Sequence, residues 1–120
     1  MPMFRFVALL LVLPAAAVNA DPNVAARREF QSAYAAVATT APGTAVADSD
    51  ALRNYPLYLY LQAARLHRRI SDPAAATDIA AFLAANGDQP VGRSLRRSWL
   101  MELALRKQWD AYLAAYREDL

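Results

Sequence analysis

The stretch PLYLYLQAARLHRRI, residues 56–70, decides the fold. At helical periodicity it puts Leu57, Leu61 and Ala64 on one face and Leu59, Ala63, Leu66 and Ile70 on the opposite one. A helix on the surface of a globule carries one apolar stripe, so two opposed stripes describe a helix packed between neighbours on both sides. Pro56 suits the first helical position, where its missing N–H costs nothing, and Tyr55 before it is pushed away from α geometry. The spacing predicts a helix from Pro56 to about Ile70.

Outward from this segment the chain reads as helix and turn. On its N-terminal side, Asn23–Thr40 carries Phe30, Tyr34 and Val37 at spacings of four and three, and Ala41-Pro42-Gly43-Thr44 stops it. A polar loop follows, and Ser49 or Asp50 caps a short turn through Arg53. On the C-terminal side, Asp72-Pro73 is a cap followed by proline at the first helical position. Pro73–Ala85 holds Ile79, Phe82 and Leu83, and Asn86-Gly87 is a pair that ends helices in the left-handed conformation. Gln89-Pro90 restarts the chain. A helix from about Val91 to Lys107 then carries Leu95, Trp99 and Leu103 on one face, with Leu100, Met101 and Leu105 off it. A fifth helix begins at Trp109 and contains Tyr112, Leu113 and Tyr116. Ala81-Phe82-Leu83-Ala84-Ala85 recurs as Ala111-Tyr112-Leu113-Ala114-Ala115, about the period of one helical hairpin.

These elements predict an all-α fold, an α-solenoid or superhelical array of short helical hairpins with about five helices. A closed four-helix bundle is the alternative architecture. Arg117-Glu118-Asp119-Leu120 supplies no cap and no partner helix, so the helical-repeat domain, residues 21–120, is expected to be incomplete at its C-terminal end.

Composition agrees. Of 120 residues, 57% are apolar, but 28 are alanine, so the core is built from few large side chains and close helix contacts. Three glycines and few β-branched residues exclude an all-β sandwich or barrel. The absence of cysteine excludes disulfides, thiolate metal sites and a cysteine nucleophile. Twelve arginines and one lysine face 11 acids, a net charge of +2, which is no nucleic-acid footprint.

The first twenty residues read as an address. Arg5 precedes the apolar run Val7–Leu13, Pro14 breaks it, and Val18-Asn19-Ala20 offers small residues to a signal peptidase. The run is far shorter than the roughly 20 residues of a membrane span, and no cysteine follows it to carry a lipid anchor. Residues 1–20 are therefore expected to be a signal peptide, with a mature chain starting at Asp21. A cysteine-free, nearly neutral exported protein fits a bacterial envelope compartment.

Chemistry is sparse. Glu29 sits in the charged patch Arg27-Arg28-Glu29 and reads as solvated, Glu102 has Arg106 one turn on, and Asp72 and Asp110 stand at helix starts. Each has a structural explanation, so none is taken as a catalytic acid. His67 lies among Arg65, Arg68 and Arg69, reads as a helix-surface histidine, and has no second metal ligand nearby. The clusters Arg65/Arg68/Arg69 and Arg93/Arg96/Arg97 read first as solvated helix faces, with an anion- or partner-docking face as the functional alternative. Tyr55, Tyr58, Tyr60, Trp99 and Trp109 read as packing residues before sugar-stacking platforms. There is no glycine-rich phosphate loop, no GxSxG and no HExxH. No catalytic, cofactor-binding or metal-ligating residue is assigned, and no cofactor is expected.

The segment Ala51-Leu52-Arg53-Asn54-Tyr55-Pro56-Leu57-Tyr58-Leu59-Tyr60-Leu61 resembles the "L-x-x-Y-P-L-x-x-Y-L" element near the N-terminus of soluble lytic murein transglycosylases. Phe82-Leu83-Ala84 with Asn86, Gly87, Asp88 and Pro90 is similar to that family's "FL…P…P" turn. Leu95-Arg96-Arg97-Ser98-Trp99-Leu100, then Leu103-Ala104 and Trp109, resemble its "LR…WL..LA…..W" helix pair. The resemblance spans about Phe30 to Tyr116. It implies a periplasmic protein whose U-shaped superhelix surrounds a goose-lysozyme-like domain. That domain cleaves the MurNAc–GlcNAc bond of peptidoglycan and leaves a 1,6-anhydro end. The family's glutamate-serine and Gly-Leu-Met-Gln motifs have no counterpart here, so no catalytic residue carries over. Tyr55, Pro56 and Leu57 match an element that is structural in the family. The expectation is a non-catalytic scaffold module that reaches peptidoglycan only through a catalytic domain it lacks, with no nucleic acid and no membrane anchor. A free-standing periplasmic helical-repeat adaptor for an envelope protein is the rival.

Overall fold

A computed structural model describes residues 21–118, and every described element is helical. The expected signal peptide, residues 1–20, lies outside the described residues, as do residues 119 and 120. The helices are α1 (Pro22–Val37), α2 (Asp50–Arg53), α3 (Tyr58–Arg68), α4 (Ala76–Asn86), α5 (Pro90–Leu105) and α6 (Trp109–Ala115), with a 3₁₀ turn at Pro73–Ala75 leading into α4.

The helix starts follow the local chemistry. The Asp21 carboxylate accepts the Asn23 N–H at 2.9 Å at the head of α1, and the Ser49 hydroxyl accepts the Leu52 N–H at 3.1 Å at the head of α2. Asp72 accepts from the Ala74 N–H at 2.9 Å ahead of the 3₁₀ turn. Pro90 is the first residue of α5.

Several boundaries depart from the sequence pattern; α1, for one, ends at Val37 and not at Thr40. Pro56 does not open the helix: the Tyr58 N–H donates to the Tyr55 carbonyl at 2.9 Å, so Pro56 is the second residue of a turn that redirects the chain from α2 into α3. Proline's fixed φ suits that turn position as well as it suits a helix start. Gly87 is not left-handed: its φ of −63° and ψ of −23° are those of a right-handed helix end. What requires glycine there is space, because a Cβ would stand 2.5 Å from the Leu83 carbonyl oxygen and strike the Arg96 guanidinium. The left-handed stop occurs instead at Lys107, φ 57°, at the end of α5. There the Gln108 N–H reaches the Leu103 carbonyl at 2.9 Å and the Lys107 N–H reaches Ala104 at 3.0 Å, the double closure of a Schellman motif.

The two-faced pattern of residues 56–70 reports its real surroundings. α3 packs on α1 with one side and on α4 and α5 with the other. Leu61 and Ala63 are buried, and Leu59, Leu66 and Ile70 are partly so. Ala26 of α1 and Leu52 of α2 are buried at the N-terminal end of the array. The main core gathers Ala63, Ala75, Ile79, Phe82, Leu83, Leu95, Trp99 and Leu103 between α3, α4 and α5. The expected face of α5, Leu95–Trp99–Leu103, is fully inside, and Arg106 caps it with its guanidinium carbon 5.7 Å from the Trp99 ring centre. Close approach of α4 and α5 depends on Gly92, where a Cβ would collide with the Asn86 carbonyl.

α6 packs on α5. The apolar residues off the core face of α5 divide: Leu100 is buried, whereas Met101 and Leu105 are 70% and 78% exposed. With Trp109, Leu113 and Tyr116 they give the α5–α6 hairpin half of the large apolar side chains exposed among the described residues.

Candidate functional site

Three polar arrangements stand out, each made by helices that bring distant residues together. The first ties the loop after α1 to α3. The Asp48 carboxylate accepts from Arg65 Nη1 at 2.7 Å and Nη2 at 3.0 Å, and from the Tyr58 hydroxyl at 2.6 Å. The Asp48 side chain is 7% exposed. The Arg65 hydrogen bonds hold its carboxyl below the usual aspartate value, against the opposing effect of burial. Burial, then the Asp48 bond, pushes the Tyr58 phenol up, so it remains a donor at neutral pH. Asp48 bonding raises Arg65 in turn. Glu29 makes a parallel link, accepting from the Ser49 N–H at 3.2 Å and from the Ser49 hydroxyl. Glu29 is thus a brace between α1 and the cap of α2, not a solvated patch residue.

The second arrangement is a cleft of about 390 Å³ between α1, the loop 40–46 and the end of α3. Arg65, Arg68 and Arg69 line it. Arg65 is occupied by Asp48, and Arg69 by Asp78 at 3.0 Å, so ion pairing accounts for two of the three cations in the cluster. Arg68 is exposed and forms no ion pair among the described residues.

The third arrangement is a groove of about 590 Å³ between α4 and α6, with Trp99 and Arg96 of α5 on its wall. The cluster Arg93/Arg96/Arg97 is not one solvated face. Arg93 and Arg97 are exposed, but Arg96 is buried, at 6% exposure. Its Nη1 and Nη2 donate to the Gly87 and Leu83 carbonyls at 3.4 and 3.5 Å. A buried arginine that closes the C-terminal end of the preceding helix leaves no periodicity signal, because its partners are main-chain oxygens. The glycine at 87, read for its conformation rather than for the space it leaves, was the available clue.

The remaining residues singled out in the sequence have local roles. Glu102 pairs with Arg106 Nε at 2.9 Å, and Arg106 Nη2 donates to the Ile70 carbonyl at 2.8 Å. Asp110 lies in the first turn of α6 without capping it. The exposed His67 ring reaches the Ser98 hydroxyl at 3.3 Å. Tyr55 packs on Phe30 with ring centres 5.4 Å apart, Tyr58 holds Asp48, and Trp99 is buried; only Tyr60 and Trp109 of the five aromatics are exposed. Among the described residues no three His, Asp or Glu side chains gather as a metal would require, and no helix is long and apolar enough to cross a membrane. The polar groups described here can brace helices and attract anions; the one serine–histidine contact among them, Ser98 with His67, lies exposed.

No family model, curated protein or solved structure matches the chain. The resemblance to soluble lytic transglycosylases therefore stands on the quoted residues alone.

Proposed function

We propose that this chain is a helical scaffold module of the bacterial periplasm, of the kind that forms the N-terminal superhelix of soluble lytic murein transglycosylases. In this reading it holds and positions a glycan-cleaving partner domain and cleaves nothing itself. The observation that carries the proposal is the use made of the Tyr-Pro-Leu element. Tyr55 packs against Phe30 of α1, Pro56 and Leu57 form the turn into α3, and Tyr58 anchors the Asp48–Arg65 pair. The segment that carries the resemblance joins helices, and the element it resembles is structural in the family. Seven of the ten described carboxylates read in the same way: Asp21 and Asp72 cap, and Glu29, Asp48, Asp50, Asp78 and Glu102 brace.

The exposed Met101, Leu105 and Leu113 favour a second reading, a free-standing adaptor whose α5–α6 hairpin docks an envelope protein. The reading frame beyond codon 120 separates the two. A continuing or frameshifted frame encoding glutamate-serine and Gly-Leu-Met-Gln motifs supports the scaffold; a stop codon followed by an unrelated gene supports the adaptor. Under either reading, residues 21–120 incubated with purified sacculi release no 1,6-anhydromuropeptides above a blank. Release of such products, separated by chromatography, overturns both.

A further inference from the structure

Arg96 is the least compensated charge in this fold. It is 6% exposed, yet it enters no ion pair among the described residues and its Nε–H has no partner. Its two hydrogen bonds, at 3.4 and 3.5 Å, are well beyond the usual length of about 2.9–3.0 Å. The carbonyls it meets lie at the negative end of the α4 dipole and offset part of the burial cost. They do not supply what a guanidinium fork fits best, the two oxygens of a carboxylate.

The surroundings share one character. The groove beside Arg96 lies within the size range of small-ligand sites. α4 lines it with Ala76, Ala80 and Ala84 at successive turns, and α6 with Ala111 and Ala115. These methyl groups leave open a volume that larger side chains would fill. No acidic side chain lines the groove, and its one other charged residue is Arg117. An open, largely apolar groove with two cations, one of them buried and without a counter-ion, is complementary to an anionic amphiphile.

We propose that the α4–α6 groove binds an aliphatic carboxylate, its head on the Arg96 guanidinium and its chain along the alanine methyls and the Trp99 indole. The site is independent of the scaffold reading. Gly87 does not line the groove, but its missing Cβ makes the space in which the guanidinium lies.

The chain has two tryptophans, so Trp109→Phe makes Trp99 the sole indole reporter. Decanoate titrated into that protein is expected to change Trp99 emission saturably at submillimolar concentration, with decanol binding roughly tenfold or more weakly, as loss of a charge-assisted hydrogen bond implies. Arg96→Met added to this background is expected to weaken decanoate roughly tenfold and leave decanol unchanged. Ala80→Leu narrows the groove from the α4 wall and is expected to weaken decanoate binding in a folded protein. Equal affinities for decanoate and decanol, no saturation at millimolar decanoate, or undiminished decanoate binding by either variant would overturn the proposal.

Discussion

Asp48→Asn tests whether a buried ion pair holds the loop after α1 onto α3. Asparagine keeps the volume and one acceptor oxygen, but it turns an amide N–H₂ toward a guanidinium that now meets two carboxylate oxygens at 2.7 and 3.0 Å. Breaking a fully buried pair costs about 3–5 kcal/mol, and an exposed pair is worth about 0.2–1 kcal/mol. Asp48 is 7% exposed, but Arg65 keeps 26% and can rehydrate in part, which places the expected loss near 2 kcal/mol. Against a stability of roughly 5–15 kcal/mol for a domain of this size, that lowers the urea midpoint by about 1 M. Far-UV circular dichroism on residues 21–120 reads it. The pH dependence gives an independent check. Asp48 has a native pKa below its ordinary 3.8, so its contribution is fully present above that value and is lost as pH falls through the native one. The stability gap between parent and variant should be flat near neutrality and shrink below pH 3.8. A gap under about 0.5 kcal/mol at neutral pH, or one that does not change on acidification, would refute the reasoning.

Other outcomes follow from single contacts. Trp99→Ala empties the centre of the main core and is expected to cost roughly 3–5 kcal/mol, a large fall in melting temperature by circular dichroism; an unchanged melting curve would contradict its burial at 5% exposure. Gly92→Ala should gain about 1 kcal/mol of helix propensity, yet destabilise on balance by roughly 1–3 kcal/mol because the new Cβ collides with the Asn86 backbone; a higher melting temperature would show that α4 and α5 separate freely. Mass spectrometry of a periplasmic fraction should find Asp21 as the N-terminus, and an intact Met1 in the cytoplasm would refute the address read from Arg5, Val7–Leu13 and Val18-Asn19-Ala20.

The sequence by itself determined the helices and the crowding around α3. Period and capping are local properties: Ser49, Asp72 and Pro90 act on residues within one turn, so their positions can be read without a fold. The opposed stripes of residues 56–70 required neighbours on both sides whatever those neighbours were. Trp99 was legible as core because Leu95 and Leu103 flank it by one turn on the same face. What only the tertiary structure decided is polar and long-range. Asp48 lies 17 residues from Arg65, Glu29 lies 20 from Ser49, and Arg106 lies 36 from the Ile70 carbonyl it holds, and no periodicity relates such pairs. The same limit hid Arg96. In sequence it is one arginine of a cluster, alike in residue type to Arg93 and Arg97. Helix packing then turned those two to solvent and drove the third into a glycine-made space at the end of α4, where main-chain oxygens receive it.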